Sequence, residues 1–125
     1  MSPKTKRIVD IIAAVIPAGL VMLSGVFKFI GGEQVVQGFT ALGVIQYLPV
    51  LGTAEICFAL LYIPRKTMKM GFILLSCYFA GAMATELSHG MAPASPTITL
   101  SIIWISAFIR DRSIFLPVAE RTQNA

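Results

Sequence analysis

The sequence predicts an all-α integral membrane protein, an antiparallel four-helix bundle with both termini in the cytoplasm. Its 125 residues are 56% hydrophobic and only 13% charged, whereas an ordinary soluble domain carries roughly 25% charged residues. The hydrophobic residues form four long runs, and basic residues collect at the ends of those runs. This composition excludes an ordinary soluble enzyme, a disordered chain and a secreted disulfide scaffold.

The first run, residues 8–30, has no charged residue between Asp10 and Lys28. At about 1.5 Å per residue it makes a helix of about 34 Å, which is long enough to cross the bilayer. Ala14 and Ala18 lie four residues apart, so they share a face on which another helix can approach closely. This run is therefore predicted to be the first transmembrane helix.

A short amphipathic segment, residues 33–42, follows the first run after two glycines. Val35, Phe39 and Leu42 recur at helical spacing, while the glutamate, glutamine and threonine side chains fall on another face. Such a pattern is typical of a helix that lies in the membrane interface. We therefore expect an interfacial helix between the first and second spans.

The second and third runs, residues 48–64 and 70–88, are also apolar. Glu55 is the one charge within the second run, and the third carries none before Glu86. Small residues recur every four positions in the third run and predict a packing face there. They are Ser76, Ala80 and Ala84.

The fourth run, residues 96–112, has an apolar part that stops at Ile109. It spans the bilayer only if Arg110 and Arg112 extend their side chains to the interface, or if the bilayer thins locally. The four runs together make one transmembrane domain, residues 1–125. The short connections predict that consecutive helices pack antiparallel.

The distribution of basic residues predicts the orientation. With the N-terminus inside, Lys28 is the one basic residue outside, and nine lie inside, which fits the positive-inside rule. The nine are Lys4, Lys6, Arg7, Arg65, Lys66, Lys69, Arg110, Arg112 and Arg121. Because these residues sit at the ends of apolar runs, they also argue against a nucleic-acid-binding face.

Glu55 is the deepest charge, about 10 Å below the outer end of the second span. Ionisable groups within a span cost about 2.5–3.5 kcal/mol, so this one needs an explanation. Either Glu55 exchanges protons in a cavity, or it bonds two helices together, as a protonated carboxyl or by pairing with Lys28; the sequence leaves both open. The further candidate ligand- or proton-binding residues are Lys28, His89, Glu86, Glu33 and Trp104.

Other chemistry has little support in the sequence. Cys57 and Cys77 lie within apolar runs and form no CxxC motif, so we expect them to be buried free thiols. With one histidine, no metal site is predicted, although Glu33, Glu86 and His89 could form one if their segments met. Catalytic residues are unknown, because no complete catalytic motif occurs, and whether the chain is an enzyme stays open.

Several segments together resemble the DoxX-like family. They are SGVFK at residues 24–28 followed by GGEQVVQGFTALG, LGTAEICFALLYIPR around Glu55, GAMATELSHG at the end of the third run, and IRD at residues 109–111. The resemblance extends from about Val9 to Arg112. It implies a four-helix bundle in the bacterial cytoplasmic (inner) membrane, with polar residues where Lys28, Glu55 and His89 stand.

The resemblance also implies a connection to redox chemistry, since the family takes its name from subunits of a thiosulfate:quinone oxidoreductase. The leading hypothesis is a subunit or accessory of a membrane redox system. It would hold a quinone or another apolar small molecule, not covalently bound, in an outer-half cavity where Trp104 packs on the ring.

Two other hypotheses come from different classes. One is a carrier of a small solute or proton that acts as a homo-oligomer, and the other is a structural membrane assembly protein. The expected partners are the lipid bilayer and either a membrane redox subunit or a second copy of the chain, with no nucleic acid.

Overall fold

The protein is all-helical over the part that the structure describes. The structure is a computed structural model, and it describes residues 2–116. Within that range five α-helices and no strands occur, which confirms the predicted all-α class. The helices are α1 (Pro3–Ile30), α2 (Glu33–Ala41), α3 (Leu48–Tyr62), α4 (Met68–Ser88) and α5 (Ala94–Arg110). Short 3-10 turns precede α3 at Ile45–Tyr47 and follow α5 at Arg112–Ile114.

Three helical segments are long and apolar enough to cross a membrane: Pro3–Ile30, Ile45–Tyr62 and Met68–Ser88. Helix α5 is also apolar but has only 17 residues. Large apolar side chains such as Ile8, Ile73 and Ile105 are exposed on the outer faces of these helices. So much apolar surface is unfavourable in water and is expected of a protein that lies in a bilayer.

Helix α1 begins five residues before the apolar run that predicted it. The Ser2 side chain accepts a hydrogen bond from the backbone N–H of Thr5, so the charged N-terminal residues extend the helix by more than one turn. The helix continues through Pro17 and ends at Gly31, whose positive φ of 68° suits glycine. The first span is therefore longer than the sequence predicts.

The four long helices pack around one core. Helix α1 contacts α3 and α5, and α4 contacts the same two helices. The core side chains come from all four, and the buried set includes Val21, Ala59, Tyr62, Leu75 and Ile103. Ala14 and Ala18 are buried, in agreement with the packing face expected for the first run.

The small residues of α4 lie elsewhere than expected. Ala80 and Ala84 are exposed and Ser76 is half-buried, whereas Leu75 and Phe79 of the same helix enter the core. The stripe therefore forms no packing face within the chain. The sequence had left open whether it packs within the chain or against another copy. Because α4 is apolar all round, either of its faces could have packed.

At one end of the protein, Arg110 joins three helices. Its guanidinium donates hydrogen bonds to the carbonyl oxygens of Tyr62 and Ile63, where α3 ends, and to the Asp10 carboxylate 3.3 Å away on α1. Arg65 donates to the same carboxylate at 2.8 Å. The start of α1 thus lies beside the ends of α3 and α5, so α1 runs antiparallel to both.

Arg110 is 5% exposed, so its side chain does not extend outwards, which was one of the two conditions given for the fourth span. The last carbonyl oxygens of a helix have no hydrogen-bond partners within that helix. The buried guanidinium therefore finds its acceptors among the carbonyl oxygens at the end of α3. The cation also lies 5.0 Å from the centre of the Tyr62 ring, a distance suited to a cation–π contact.

Candidate functional site

A cavity of about 690 Å³ lies at the opposite end of the protein. Its walls come from α1, α3 and α4, with the start of α5 on one side and α2 across it. Most of the lining is aliphatic or aromatic, as at Leu20, Phe27, Leu51 and Phe79. The amphipathic helix α2 therefore turns its apolar face towards the cavity, which explains its pattern in the sequence.

A buried ion pair forms part of the cavity wall. The Lys28 ammonium donates a hydrogen bond to Glu55 Oε1 at 2.8 Å and another to Ser24 Oγ at 3.0 Å. Glu55 is 1% exposed and Lys28 9% exposed. Removing two charges from solvent is costly, and the short contact offsets that cost only while both partners are present.

Two glycines bring the helices that carry this pair close together. A Cβ placed on Gly25 would lie 2.9 Å from the carbonyl oxygen of Gly52, closer than real Cβ contacts allow. Gly25 precedes Lys28 by three residues, and Gly52 precedes Glu55 by three. Without side chains at this crossing, α1 and α3 approach closely enough for Lys28 to reach Glu55.

The second carboxylate oxygen of Glu55 is unsatisfied. Oε2 is buried, and no group among residues 2–116 makes a hydrogen bond to it. Tyr78 lies beside Glu55 in the same cavity wall, without completing such a bond. A buried acceptor left without a partner costs about 1–3 kcal/mol, so a hydrogen-bond donor that reached this oxygen would recover that cost.

The Lys28 ammonium also has a donor without a partner among residues 2–116. An ammonium has three N–H groups, and two of them are taken by Ser24 and Glu55. The same nitrogen lies 5.4 Å from the centre of the Phe39 ring on α2. The cation–π contact helps to hold α2 over the cavity, and the site combines a donor and an acceptor within apolar walls.

A comparison with known families gives one match that covers most of the chain. The model of the DoxX-like family matches residues 12–108 of the chain. The chain belongs to the DoxX-like family. The matched range contains the cavity-lining residues of α1 to α5, and together with the apolar helices it identifies a membrane protein. The chain matches no curated protein and no solved structure.

In this DoxX-like protein three of the residues proposed from the sequence meet at the cavity. Glu55 and Lys28 form the ion pair described above, and Glu86 lines the wall on α4. The pairing of Lys28 with Glu55 is the second of the two arrangements that the sequence left open for Glu55.

The other three proposed residues lie away from the cavity. Glu33 is exposed on α2, where Gln37 donates to it at 3.5 Å. His89 is exposed at the end of α4, with Nδ1 2.9 Å from the Thr85 carbonyl oxygen. Trp104 donates to Ser76 Oγ at 3.1 Å and packs against Phe72 and Phe115 nearer the opposite end, so its ring does not reach the cavity.

The cysteines of the DoxX-like protein are free but exposed, so the expectation that both are buried is wrong. Cys77 also contributes to the cavity wall. Both helices that carry cysteines are apolar on every side, so position in the sequence does not tell whether a thiol faces inward. Among residues 2–116, no three His, Cys, Asp or Glu side chains are grouped so that they could hold a metal ion.

The residues that sequence analysis missed are Ser24 and Phe39 as parts of the site, and Gly25 and Gly52 as the crossing that forms it. Ser24 could have been found from its spacing, since it lies four residues before Lys28 on the same face. Phe39 belongs to the recognised apolar face of α2.

Proposed function

We propose that this DoxX-like protein binds a small apolar molecule with a polar group, such as a quinone, in the cavity beside Glu55. It would do so as a subunit or accessory of a membrane redox system in the bacterial cytoplasmic membrane. The observation that carries the proposal is an apolar cavity whose wall contains a buried ion pair in which one N–H of Lys28 and one oxygen of Glu55 have no hydrogen-bond partner among residues 2–116.

The size and lining of the cavity support a small-molecule ligand. Its volume of about 690 Å³ lies within the range of about 300–1,000 Å³ that is usual for ligand pockets. Aromatic and aliphatic walls with a few polar groups are also typical of such pockets. Lys28 and Glu55 would hold the polar atoms of the ligand, and the apolar walls would hold its ring and part of its chain.

The charge distribution supports an orientation with four spans and both termini in the cytoplasm. The end joined by Arg110 also carries Arg7, Arg65 and Lys66, whereas Lys28 lies at the cavity end. The positive-inside rule puts the basic end in the cytoplasm. The cavity then opens in the outer half of the bilayer; Arg121, which the sequence places inside, lies outside the described residues.

The closed core favours binding over transport. Tyr62, Leu75 and Ile103 are fully buried between the helices. A carrier would need a polar path past these residues, and tightly packed cores do not offer one without rearrangement. We therefore assign the cavity a binding role and propose no movement of solute through a single chain.

Comparison of what copurifies with two glycine variants tests the proposal. Gly81 lines the cavity, and Gly19 lies on α1 outside it; a Cβ added at either position meets open space. Gly81→Leu should fill the cavity, while Gly19→Leu changes a helix surface in the same way. Mass spectrometry of lipid extracts should find an apolar molecule retained by the wild type and Gly19→Leu and lost from Gly81→Leu. Equal retention by all three proteins would contradict the proposal.

A further inference from the structure

We propose that the cavity selects neutral apolar molecules whose polar group donates a hydrogen bond, and that Glu55 Oε2 accepts that bond. The ligand class is a hydroxyl on an apolar body: a phenol, an alcohol or the quinol form of a quinone. This inference rests on the proposed function, because it specifies which molecules the same cavity prefers.

The geometry of the ion pair fixes the acceptor. Lys28 holds Oε1 at 2.8 Å, so the carboxylate cannot turn without losing a short, charge-assisted bond. Oε2 is left buried and without a partner among the described residues. A carboxylate oxygen can only accept hydrogen bonds. A ligand that brings an O–H group satisfies it, and a ligand that brings only acceptors does not.

The charges around the cavity exclude ionised ligands. An anion would meet the free oxygen of Glu55 and the Glu86 carboxylate, which both belong to the wall. A cation at Oε2 would lie beside the Lys28 ammonium, which is only 2.8 Å from the other oxygen of the same carboxylate. Charges interact strongly in a medium of low dielectric constant, and stripping water from an ion is costly. A neutral hydroxyl avoids both penalties.

Tyr78 offers a rival account of the free oxygen. Its hydroxyl belongs to the same wall beside Glu55, and a small rotation could direct it at Oε2. In that case Tyr78 would satisfy the carboxylate and no ligand donor would be needed. Removing the hydroxyl with Tyr78→Phe separates the two accounts.

The test compares 4-octylphenol with 4-octylanisole on the full-length protein in nanodiscs. The two probes share ring and chain and differ in that a methyl group replaces the hydroxyl hydrogen. Saturable binding is measured by calorimetry against protein-free nanodiscs. Because a hydrogen bond to a charged group is strong, the wild type should bind the phenol about tenfold or more tightly than the ether. This comparison uses the unaltered protein and does not depend on any variant folding.

Glu55→Gln should then remove the preference. The Lys28 ammonium only donates hydrogen bonds, so it will pair with the amide oxygen of the glutamine and not with its NH₂ group. The NH₂ group then occupies the position that Oε2 has in the wild type. An NH₂ group cannot accept a hydrogen bond from the phenol hydroxyl. The ratio of the affinities for the phenol and the ether should therefore fall towards one. Glu33→Gln makes the same change on the exposed face of α2, outside the cavity, and should keep the ratio. Tyr78→Phe should also keep it if Oε2, and not the Tyr78 hydroxyl, sets the preference.

The outcomes separate this inference from the proposed function. Binding of neither probe above protein-free nanodiscs, together with equal extracts from wild type and Gly81→Leu, would overturn the proposed function itself. Equal affinities of the wild type for both probes would overturn only the selectivity for donors. Loss of the preference in Tyr78→Phe but not in Glu55→Gln would assign it to Tyr78 and would also overturn the inference.

Discussion

The ammonium of Lys28, in the last turn of α1, lies 2.8 Å from the carboxylate of Glu55, midway along α3. The contact joins the two helices and at the same time forms part of the cavity wall. A bond that only fastened helices together would need one carboxylate oxygen. The second oxygen is buried and has no partner within the described chain, and it is the atom to which we assign ligand binding.

The first prediction concerns the stability of this pair. Lys28→Met alone leaves a buried carboxylate without its partner, and breaking a buried pair in this way costs about 3–5 kcal/mol. The double variant Lys28→Met with Glu55→Gln has no buried charge and should recover most of that loss. Thermal unfolding in detergent measures the difference, with the exposed Glu33→Gln as a control. A double variant that is less stable than either single variant would contradict the account.

The second prediction concerns the glycine crossing. Gly25→Ala puts a methyl group 2.9 Å from the Gly52 carbonyl oxygen, so α1 and α3 must separate. Overpacking of this kind costs about 1–3 kcal/mol. Gly19→Ala makes the same change on the same helix in open space and should be neutral or slightly stabilising. Similar unfolding temperatures for the two variants would show that the close approach is not needed.

The third prediction concerns Arg110, whose guanidinium reaches the Asp10 carboxylate and two carbonyls at the end of α3. Lysine carries the same charge but lacks the planar fork that makes several directed bonds at once. Arg110→Lys should therefore lower the free energy of unfolding by about 1.5–3 kcal/mol. The exposed Arg112→Lys should change it by less than about 0.5 kcal/mol. Equal effects would mean that the buried bonds contribute nothing.

The fourth prediction is the orientation. After Cys57 and Cys77 are replaced, a cysteine introduced at Gln34 should react with a membrane-impermeant thiol reagent added to intact spheroplasts. One introduced at Lys66 should react only when the membrane is opened. The reverse pattern would put the cavity in the inner half of the bilayer and would contradict the positive-inside argument.

Features that depend on a single segment of the chain could be predicted from the sequence. The all-α class follows from composition and run length. Helix α2 was expected at residues 33–42 and is found at Glu33–Ala41, because its apolar and polar residues separate onto two faces. The pairing of Lys28 with Glu55 was one of two alternatives, since a charge buried in a span needs a partner.

Features that depend on the contact between segments could not be predicted. Helices α3 and α4 are apolar all round, so periodicity does not indicate which face enters the core. This is why Ala80 and Ala84 were expected to pack and are exposed. For the fourth span the sequence left open whether Arg110 extends to the interface or the bilayer thins. In the structure the Arg110 guanidinium instead donates hydrogen bonds to carbonyl oxygens at the end of α3. Only the assembled fold shows where those carbonyls lie.

Photolabelling tests the central claim most directly, since it shows where an apolar ligand binds. The wild type in nanodiscs is irradiated with a photoreactive alkylphenol, and the labelled residues are mapped by peptide mass spectrometry. We expect the label on cavity residues of α2 and α4, such as Phe39 and Tyr78. It should be lost in the presence of excess 4-octylphenol and in Gly81→Leu, and kept in Gly19→Leu. Label spread over the exposed faces of the helices and unaffected by competitor or by Gly81→Leu would contradict the account.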